Sequence, residues 1–337
     1  MFKKVKIPFY FQIIFIFLLI VQISSCTCIS VNIPIFPEEK PLREYKISGE
    51  GKYKILLVDI SGIILSGEAE SFTSLIKKKN MAKYIREVLD KAKKDKKVKA
   101  VVLKINSPGG TVTASDLVYR EILKFKKETG IPVYAAMLDL ATSGALYLAM
   151  ACDKVYASPT TITGSIGVIF QNIDLTGLLD KIGIKDRTVK SGDKKDMGSP
   201  LRKMTDEEIA IMKEITLEMY NKFINVIADS RKKMSREDIL KLADGRILSS
   251  KKALENGLID GIEYLDDVLE EAKKNAGLKE AKVVTYNRPG AYEPNIYSMP
   301  SGGYGSKDIL KLLKEEILHL STSSGFMYIW KYGADIH

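Results

Sequence analysis

A chain of 337 residues has room for one large domain or two smaller ones with a sizeable buried core. Its composition, 45% hydrophobic and 28% charged, excludes wholesale disorder. The net charge of +10 comes from lysines on helical stretches such as 77–79 and 91–99, with no aromatics interleaved as a base-stacking surface requires, so nucleic acid is not an expected partner.

The three cysteines are Cys26, Cys28 and Cys152, and the two histidines, His319 and His337, both stand near the C-terminal end. The body therefore has neither a disulfide framework nor a cysteine- or histidine-rich metal site. Any histidine base would have to come from the tail. No cofactor and no metal are expected.

The first element in the chain is a targeting segment. Lys3, Lys4 and Lys6 precede an uncharged run, 7–23, rich in Ile, Phe and Leu, and the next charge is Glu38. That order describes a secretory signal or signal anchor with its lysines on the cytoplasmic side. At about 17 residues the run is at the short end of what spans a bilayer. Ile23-Ser24-Ser25-Cys26 resembles a lipobox, which makes Cys26 a lipidation candidate; the alternative is an uncleaved anchor with Cys26 and Cys28 beside the membrane. Both place the body on the outer side of a bacterial cytoplasmic membrane, with lipid as a partner and the basic surface near anionic headgroups. The expected division is a targeting segment over 1–26, a linker over 27–50 containing Pro34, Pro37 and Pro41, a catalytic domain over 51–286, and a C-terminal helical extension over 287–337.

From residue 52 onward, apolar β-rich runs alternate with amphipathic helices. Strands are expected at 53–60, 100–105 and 132–137, with 62–65 as a further short strand. Helices are expected at 81–94, from 114 to 128 with Gly130 closing it, and from about Ser143 onward. Thr205-Asp206-Glu207-Glu208 is a capping box opening a long helix, whose stripe of Ile209, Met212, Ile215, Met219, Phe223 and Ile227 reads as core. Ser235 caps a shorter helix, and 265–275 forms another. This alternation predicts an α/β architecture with both sheet faces covered. Beyond 286 come a Pro-, Gly- and Tyr-rich stretch, a helix over about 307–320 and an aromatic tail, Phe326-Met327-Tyr328-Ile329-Trp330. The tail fits three placements: against a neighbour, at the membrane, or in a substrate groove.

Three segments carry chemistry. In Leu140-Ala141-Thr142-Ser143-Gly144-Ala145 a strand ends in a tight turn and a helix begins, so Ser143 is either a plain N-cap or a nucleophile beside helix-start amides that favour an oxyanion. Gly144 allows a carbonyl to approach the backbone closely. Asn106-Ser107-Pro108-Gly109-Gly110 follows a buried strand and can present N–H groups to an anion, or be only a turn. Thr163-Gly164-Ser165-Ile166-Gly167 is a third glycine-serine cluster, and 189–200 sets Lys190, Lys194 and Lys195 among turn-forming residues.

Taken together and in order, the Ser-Pro-Gly-Gly, Ala-Thr-Ser-Gly and Thr-Gly-Ser-Ile-Gly turns, the run from Lys190 to Pro200, Ala243-Asp244-Gly245-Arg246 and Gly257-Leu258-Ile259-Asp260 closely resemble the short form of signal peptide peptidase A. That family lies within the fold group of the Clp protease and crotonase, and the resemblance covers residues 53–286. It implies a Clp/crotonase-like core of repeated ββα units wound as a spiral. It also implies a serine endopeptidase with Ser143 as nucleophile, Lys195 as general base, Ser165 orienting the lysine, and the Gly110 and Gly144 amides as oxyanion donors. Lys190 and Lys194 compete with Lys195 for the role of base. Ala145-Leu146 departs from relatives that often carry Gly and an aromatic there. The implied substrates are hydrophobic peptides such as remnant signal peptides, and the implied assembly is a homo-oligomer whose neighbouring subunits share each dyad.

A lysine serves as base only when its pKa is depressed and no carboxylate pairs with it, so Asp193 and Asp196 are expected to face away from Lys195. The rival reading is a crotonase-type acyl-CoA enzyme. A Ser-His-Asp peptidase of the Clp type is disfavoured, since no histidine lies between Ser143 and His319.

Overall fold

A computed structural model describes residues 40–66, 80–289, 296 and 325–330 of the chain. The targeting segment, Cys26 and the helix expected at 307–320 lie outside the described residues. Among those described, no helix is long and apolar enough to cross a membrane.

The compact unit that begins at Pro41 is organised around one sheet. Its strands and helices follow in chain order as β1 (Arg43–Ser48), β2 (Lys54–Ser61), α1 (Met81–Lys94), β3 (Val98–Ser107), β4 (Gly109–Thr111), α2 (Val112–Thr129), β5 (Val133–Thr142), α3 (Gly144–Ala149), β6 (Lys154–Ala157) and β7 (Ile162–Gly164). Then come α4 (Thr176–Lys181), α5 (Asp206–Ser230), α6 (Arg236–Leu242), β8 (Ile247–Ser249), α7 (Ser250–Glu255), β9 (Gly261–Ile262), α8 (Leu265–Asn275), β10 (Lys282–Asn287) and β11 (Met327–Ile329). The main sheet runs β1-β10-β2-β3-β5-β6-β9, with β7 beside the end of β5 and β8 beside β7. All of these pairs are parallel except β1–β10 and β7–β8.

Strands β2 and β3 are buried on both faces, which is why they read as unbroken apolar runs. On one face Val58, Leu103 and Ala135 meet Ile85, Val88, Val118 and Ile122 of α1 and α2. On the other, Leu57, Val102 and Tyr134 meet Leu265, Val268 and Leu269 of α8. Helix α1 starts on Asn80, whose side chain accepts the Lys83 N–H, and α2 ends on Gly130 in the left-handed region, where a glycine carries no Cβ penalty.

Three local expectations are corrected. Residues 43–48, expected as linker, form an edge strand whose half-buried Tyr45 and Ile47 alternate with exposed neighbours, a period the nearby prolines obscured. Residues 62–65 make only a single bridge, Ile64 to Gly110, because Gly62 turns the chain out of the ladder. The apolar stripe of α5 is core only at its C-terminal end: Phe223 and Ile227 are fully buried, whereas Ile209 is exposed. The capping box of α5 has both of its reciprocal hydrogen bonds.

Candidate active site

Strands β5 and β7 run parallel in register, with Thr142 opposite Gly164, and each is followed by a serine. Those two, Ser143 (φ 54°) and Ser165 (φ 52°), are the non-glycine residues with positive φ among the described residues. Such a conformation costs about 1–3 kcal/mol and persists only where neighbours dictate it. They do so here. The Ser143 N–H donates to the Gly164 carbonyl at 2.8 Å, the Ser143 carbonyl accepts from Tyr147 N–H at 2.8 Å, and Ser165 N–H donates to the Arg246 carbonyl at 2.7 Å.

The N-cap alternative for Ser143 can now be judged. A capping serine gives its side-chain oxygen to an amide of the first helical turn. Ser143 stands at the N-cap of α3 but makes no capping bond, and its Oγ is buried with no hydrogen-bond partner. Its hydroxyl is held in reserve at a strained strand-to-helix turn, the setting in which a nucleophile is exposed to a substrate carbonyl. One part of the expectation weakens: α3 has only six residues, so its dipole is small and single amides must supply most of the oxyanion stabilisation.

The amides expected in that role belong to two glycines that tolerate no side chain. A Cβ on Gly110 would stand 1.9 Å from the Ile64 carbonyl oxygen, and one on Gly144 would stand 2.3 Å from Ser115 Oγ and 3.2 Å from Gly110 N. On one edge of β4, the Gly109 carbonyl accepts from Ile64 N–H at 2.9 Å and Thr111 N–H donates to the Ile64 carbonyl at 3.0 Å. Since successive strand residues bond to opposite sides, the Gly110 N–H and C=O face the other edge.

That other edge is covered by the aromatic tail, which the sequence left with three placements. Strand β11 pairs antiparallel with β4 and sets Tyr328 opposite Gly110. Val112 N–H donates to the Phe326 carbonyl at 3.2 Å and Trp330 N–H to the Pro108 carbonyl at 2.9 Å, so by alternation Gly110 and Tyr328 form a hydrogen-bonded pair. Met327, between them, bonds the opposite way, giving and receiving 3.0 Å hydrogen bonds with Ile169. The Tyr328 carbonyl oxygen lies 2.1 Å from where a Cβ on Gly109 would stand and 3.0 Å from where one on Gly144 would stand. The tail thus lies along the groove as an extended strand, with one carbonyl at the glycine amides.

Lys195 is in a different setting. It is exposed, in a turn-rich arm over 168–205, and it is not the partner of the Ser143 hydroxyl within this chain. The other two lysines of the run are engaged: Lys190 with Asp196 at 2.8 Å and Lys194 with Glu207 at 2.9 Å. Among the described residues no carboxylate pairs with Lys195. Arg202 binds Asp196 and Glu208 at 2.6 Å each, holding the Asp196 carboxyl far below its ordinary range and that of Glu208 down to about 2. Asp196 is thus engaged by Arg202 and Lys190 and makes no ion pair with Lys195.

The sequence reading missed Ser115, Tyr147 and Phe223 at the site, and the role of β11. Tyr147 donates to Asp116 at 2.7 Å, and burial together with that carboxylate pushes its phenol far above the ordinary range. Cys152 is buried and its thiol is pushed up to about 12, so it supplies no thiolate nucleophile.

Comparison with known proteins places this geometry among peptidases. The model of peptidase family S49 matches residues 125–279, and that of Clp protease matches 57–164. A candidate signal peptide peptidase, SppA, of Enterococcus faecium is 37% identical over 79% of this chain and 76% of its own length. A candidate protease of Synechocystis is 34% identical over 68% of this chain and 77% of its own. Protease 4 of Salmonella typhi is 34% identical over 62% of this chain, a match that spans 32% of that longer protein. The α/β fold with a mixed sheet is of the Clp-protease kind.

Proposed function

Since the chain belongs to peptidase family S49, and is on that ground a serine peptidase, we propose that it is a membrane-held endopeptidase working through a Ser143–Lys195 dyad on hydrophobic peptides such as remnant signal peptides. The observation that carries the serine half is the uncapped, strained, buried hydroxyl of Ser143 beside the Gly110 and Gly144 amides. Ser143 Oγ attacks the carbonyl carbon of the scissile amide while Lys195, neutral, takes its proton. The two amides hold the oxyanion of the tetrahedral intermediate. As that intermediate collapses the C–N bond breaks, and the lysine passes the proton to the departing amine. Water, deprotonated in turn by Lys195, then hydrolyses the ester and restores both residues. Ser165, one residue after the strand end paired with Thr142, is the hydroxyl that steadies the lysine.

The base is supplied by a second copy of the chain. This is supported by the exposure of Lys195, its lack of a carboxylate partner among the described residues, and the bare apolar side chains of its arm, with Val189 98% and Ile182 59% exposed. Packing against another subunit removes water from that amine, the setting in which a lysine serves as base. The run of Lys3, Lys4, Lys6 and the apolar residues 7–23 supports a tether at the cytoplasmic membrane, by anchor or by lipid on Cys26, with catalysis on the outer side. The acyl-CoA reading finds no support among the relatives.

A serine-directed phosphonate tests the assignment. It is expected to label Ser143 of the full chain in detergent and to abolish cleavage of a hydrophobic peptide. No label on Ser143 in a chain that still cleaves peptides would sink it.

A further inference from the structure

Two motifs that stand far apart in the chain, Thr163-Gly164-Ser165-Ile166-Gly167 and Ala243-Asp244-Gly245-Arg246, meet in space. We propose that Asp244 and Arg246 are positioning residues for the reaction: their side chains clasp each other and so aim the Arg246 carbonyl, which holds Ser165 in the conformation that steadies the lysine base. This rests on the Ser143–Lys195 reading above and adds to it the residues that set Ser165 in place.

The two motifs touch through their backbones. Strand β8 pairs antiparallel with β7 and sets Ile247 opposite Gly164, and just beyond that pair the Ser165 N–H donates to the Arg246 carbonyl at 2.7 Å. The donor is a residue at φ 52°, a conformation that its neighbours must enforce. The approach leaves no room for side chains. A Cβ on Gly164 would stand 2.9 Å from the Arg246 carbonyl oxygen and 3.2 Å from Leu248 N, and one on Gly167 would stand 3.7 Å from Gly245 Cα. Arg246 is itself held at both ends. Its backbone N–H donates to Asp244 Oδ1 at 3.0 Å, its Nε donates to the two carboxylate oxygens at 2.8 and 2.9 Å, and its Nη2 donates to Oδ2. The residue between them is Gly245 at φ 89°, which by itself fixes no direction for the next peptide plane. The clasp supplies that direction. Hydrogen bonds from Arg246 hold the Asp244 carboxyl down to about 2, so the clasp stays charged around neutral pH.

Stability does not account for this arrangement. Both side chains are half-exposed, and an exposed ion pair adds little to a folded chain. Without the clasp, Ser165 would be bonded to a carbonyl free to turn about Gly245, and its hydroxyl would drift from the place where a lysine is steadied. A misplacement of ~1 Å costs a reaction up to about 10²-fold. The loss should fall on kcat, because Asp244 and Arg246 belong to neither of the strand edges that line the groove. The Gly164 carbonyl also accepts the Ser143 N–H at 2.8 Å. A general slackening of this corner would therefore reach the nucleophile as well as Ser165, and the two cases can be told apart.

The test uses the full chain in detergent with a hydrophobic peptide. Asp244→Ala frees both the Arg246 N–H and the guanidinium, and is expected to lower kcat by about 10- to 100-fold with KM and the thermal melt unchanged. Arg246→Gln keeps the N–H bond and should lose less. Asp244→Asn keeps an oxygen for that N–H and should recover most of the activity. In a Ser165→Ala background, itself slowed, Asp244→Ala is expected to cost nothing further, since both changes act through one hydroxyl. An unchanged kcat in Asp244→Ala or in Ser165→Ala would overturn the inference. So would a loss that falls on KM, or one that adds in full to that of Ser165→Ala. In each of these cases a phosphonate-labelled Ser143 leaves the peptidase reading standing. Failure of the phosphonate to label Ser143 in the parent chain would instead remove the reading beneath it.

Discussion

The two halves of the proposed dyad are built by opposite means. Ser143 and its oxyanion donors stand where β4, β5 and β7 end together, each backbone direction fixed by a ladder or a glycine that excludes any Cβ. Lys195 stands on an arm of turns and one short helix, α4, with exposed apolar residues and with ion pairs as its main ties. The first half is finished by the fold of one chain. The second carries apolar surface left exposed among the described residues, which a contact with another copy would cover. Under the proposed mechanism, the contrast divides preorganisation and assembly between the two partners of one reaction.

The largest effects test the division directly. Ser143→Ala and Lys195→Ala are each expected to lower peptide cleavage by ~10³-fold or more. Thermal melts should leave the exposed Lys195→Ala variant within about 0.5 kcal/mol of the parent. Mixed and reassembled, the two inactive variants should regain a fraction of the activity, because some interfaces then join an intact serine to an intact lysine. A mixture that stays inactive despite confirmed co-assembly would return the dyad to a single chain.

Next in size is Gly110→Ala. Its Cβ meets a backbone oxygen that cannot swing aside, so the variant is expected to lose about 1–3 kcal/mol in denaturant melts. Displacement of the oxyanion donor should reduce kcat by about 10²–10³. On the arm the order reverses. Leu178→Glu in α4 and Ile182→Glu at its C-cap should dissociate the assembly in sedimentation and reduce activity while leaving the melt unchanged. A lowered melt with the assembly intact would mean that these side chains pack within the chain.

The smallest effect concerns the Arg202 clamp. Glu208 and Asp196 are depressed below their ordinary values, so what they contribute is fully present above about 4.5. It is lost only as the pH falls toward the lowered value of Glu208, about 2. Limited proteolysis at pH 4 should spare the arm of the parent and cut it in Arg202→Gln, where both carboxyls titrate nearer their ordinary range.

What the sequence disclosed depended on how local the cause was. The strand-turn-helix around Ser143 and the double glycine of β4 are written in neighbouring residues, and so are the Ser235 and Thr205 caps. The pairing of β11 with β4 is not, because backbone hydrogen bonds between distant segments leave no trace in the side-chain pattern of Met327-Tyr328-Ile329. The stripe on α5 was read as core throughout, yet among the described residues it is fully buried only near Phe223 and Ile227, since periodicity marks an apolar face and not what covers it. The partner of the Tyr328 hydroxyl is hidden for a further reason. It is a main-chain carbonyl, which every residue type at Met219 would supply.

The place of β11 between two backbone edges has a consequence for what can be cut at all. Phe326, Tyr328 and Trp330 bond toward β4 while Met327 bonds toward Ile169, so the occupant is the middle ribbon of three, gripped alternately from left and right. A helix offers neither edge, since its amides and carbonyls are consumed within itself. A helical peptide would therefore have to unravel over several residues before it could take the place of β11. A proline at the position of Met327 would lack the hydrogen that Ile169 receives. The first demand of the place between those two edges is thus an extended backbone, whatever the side chains.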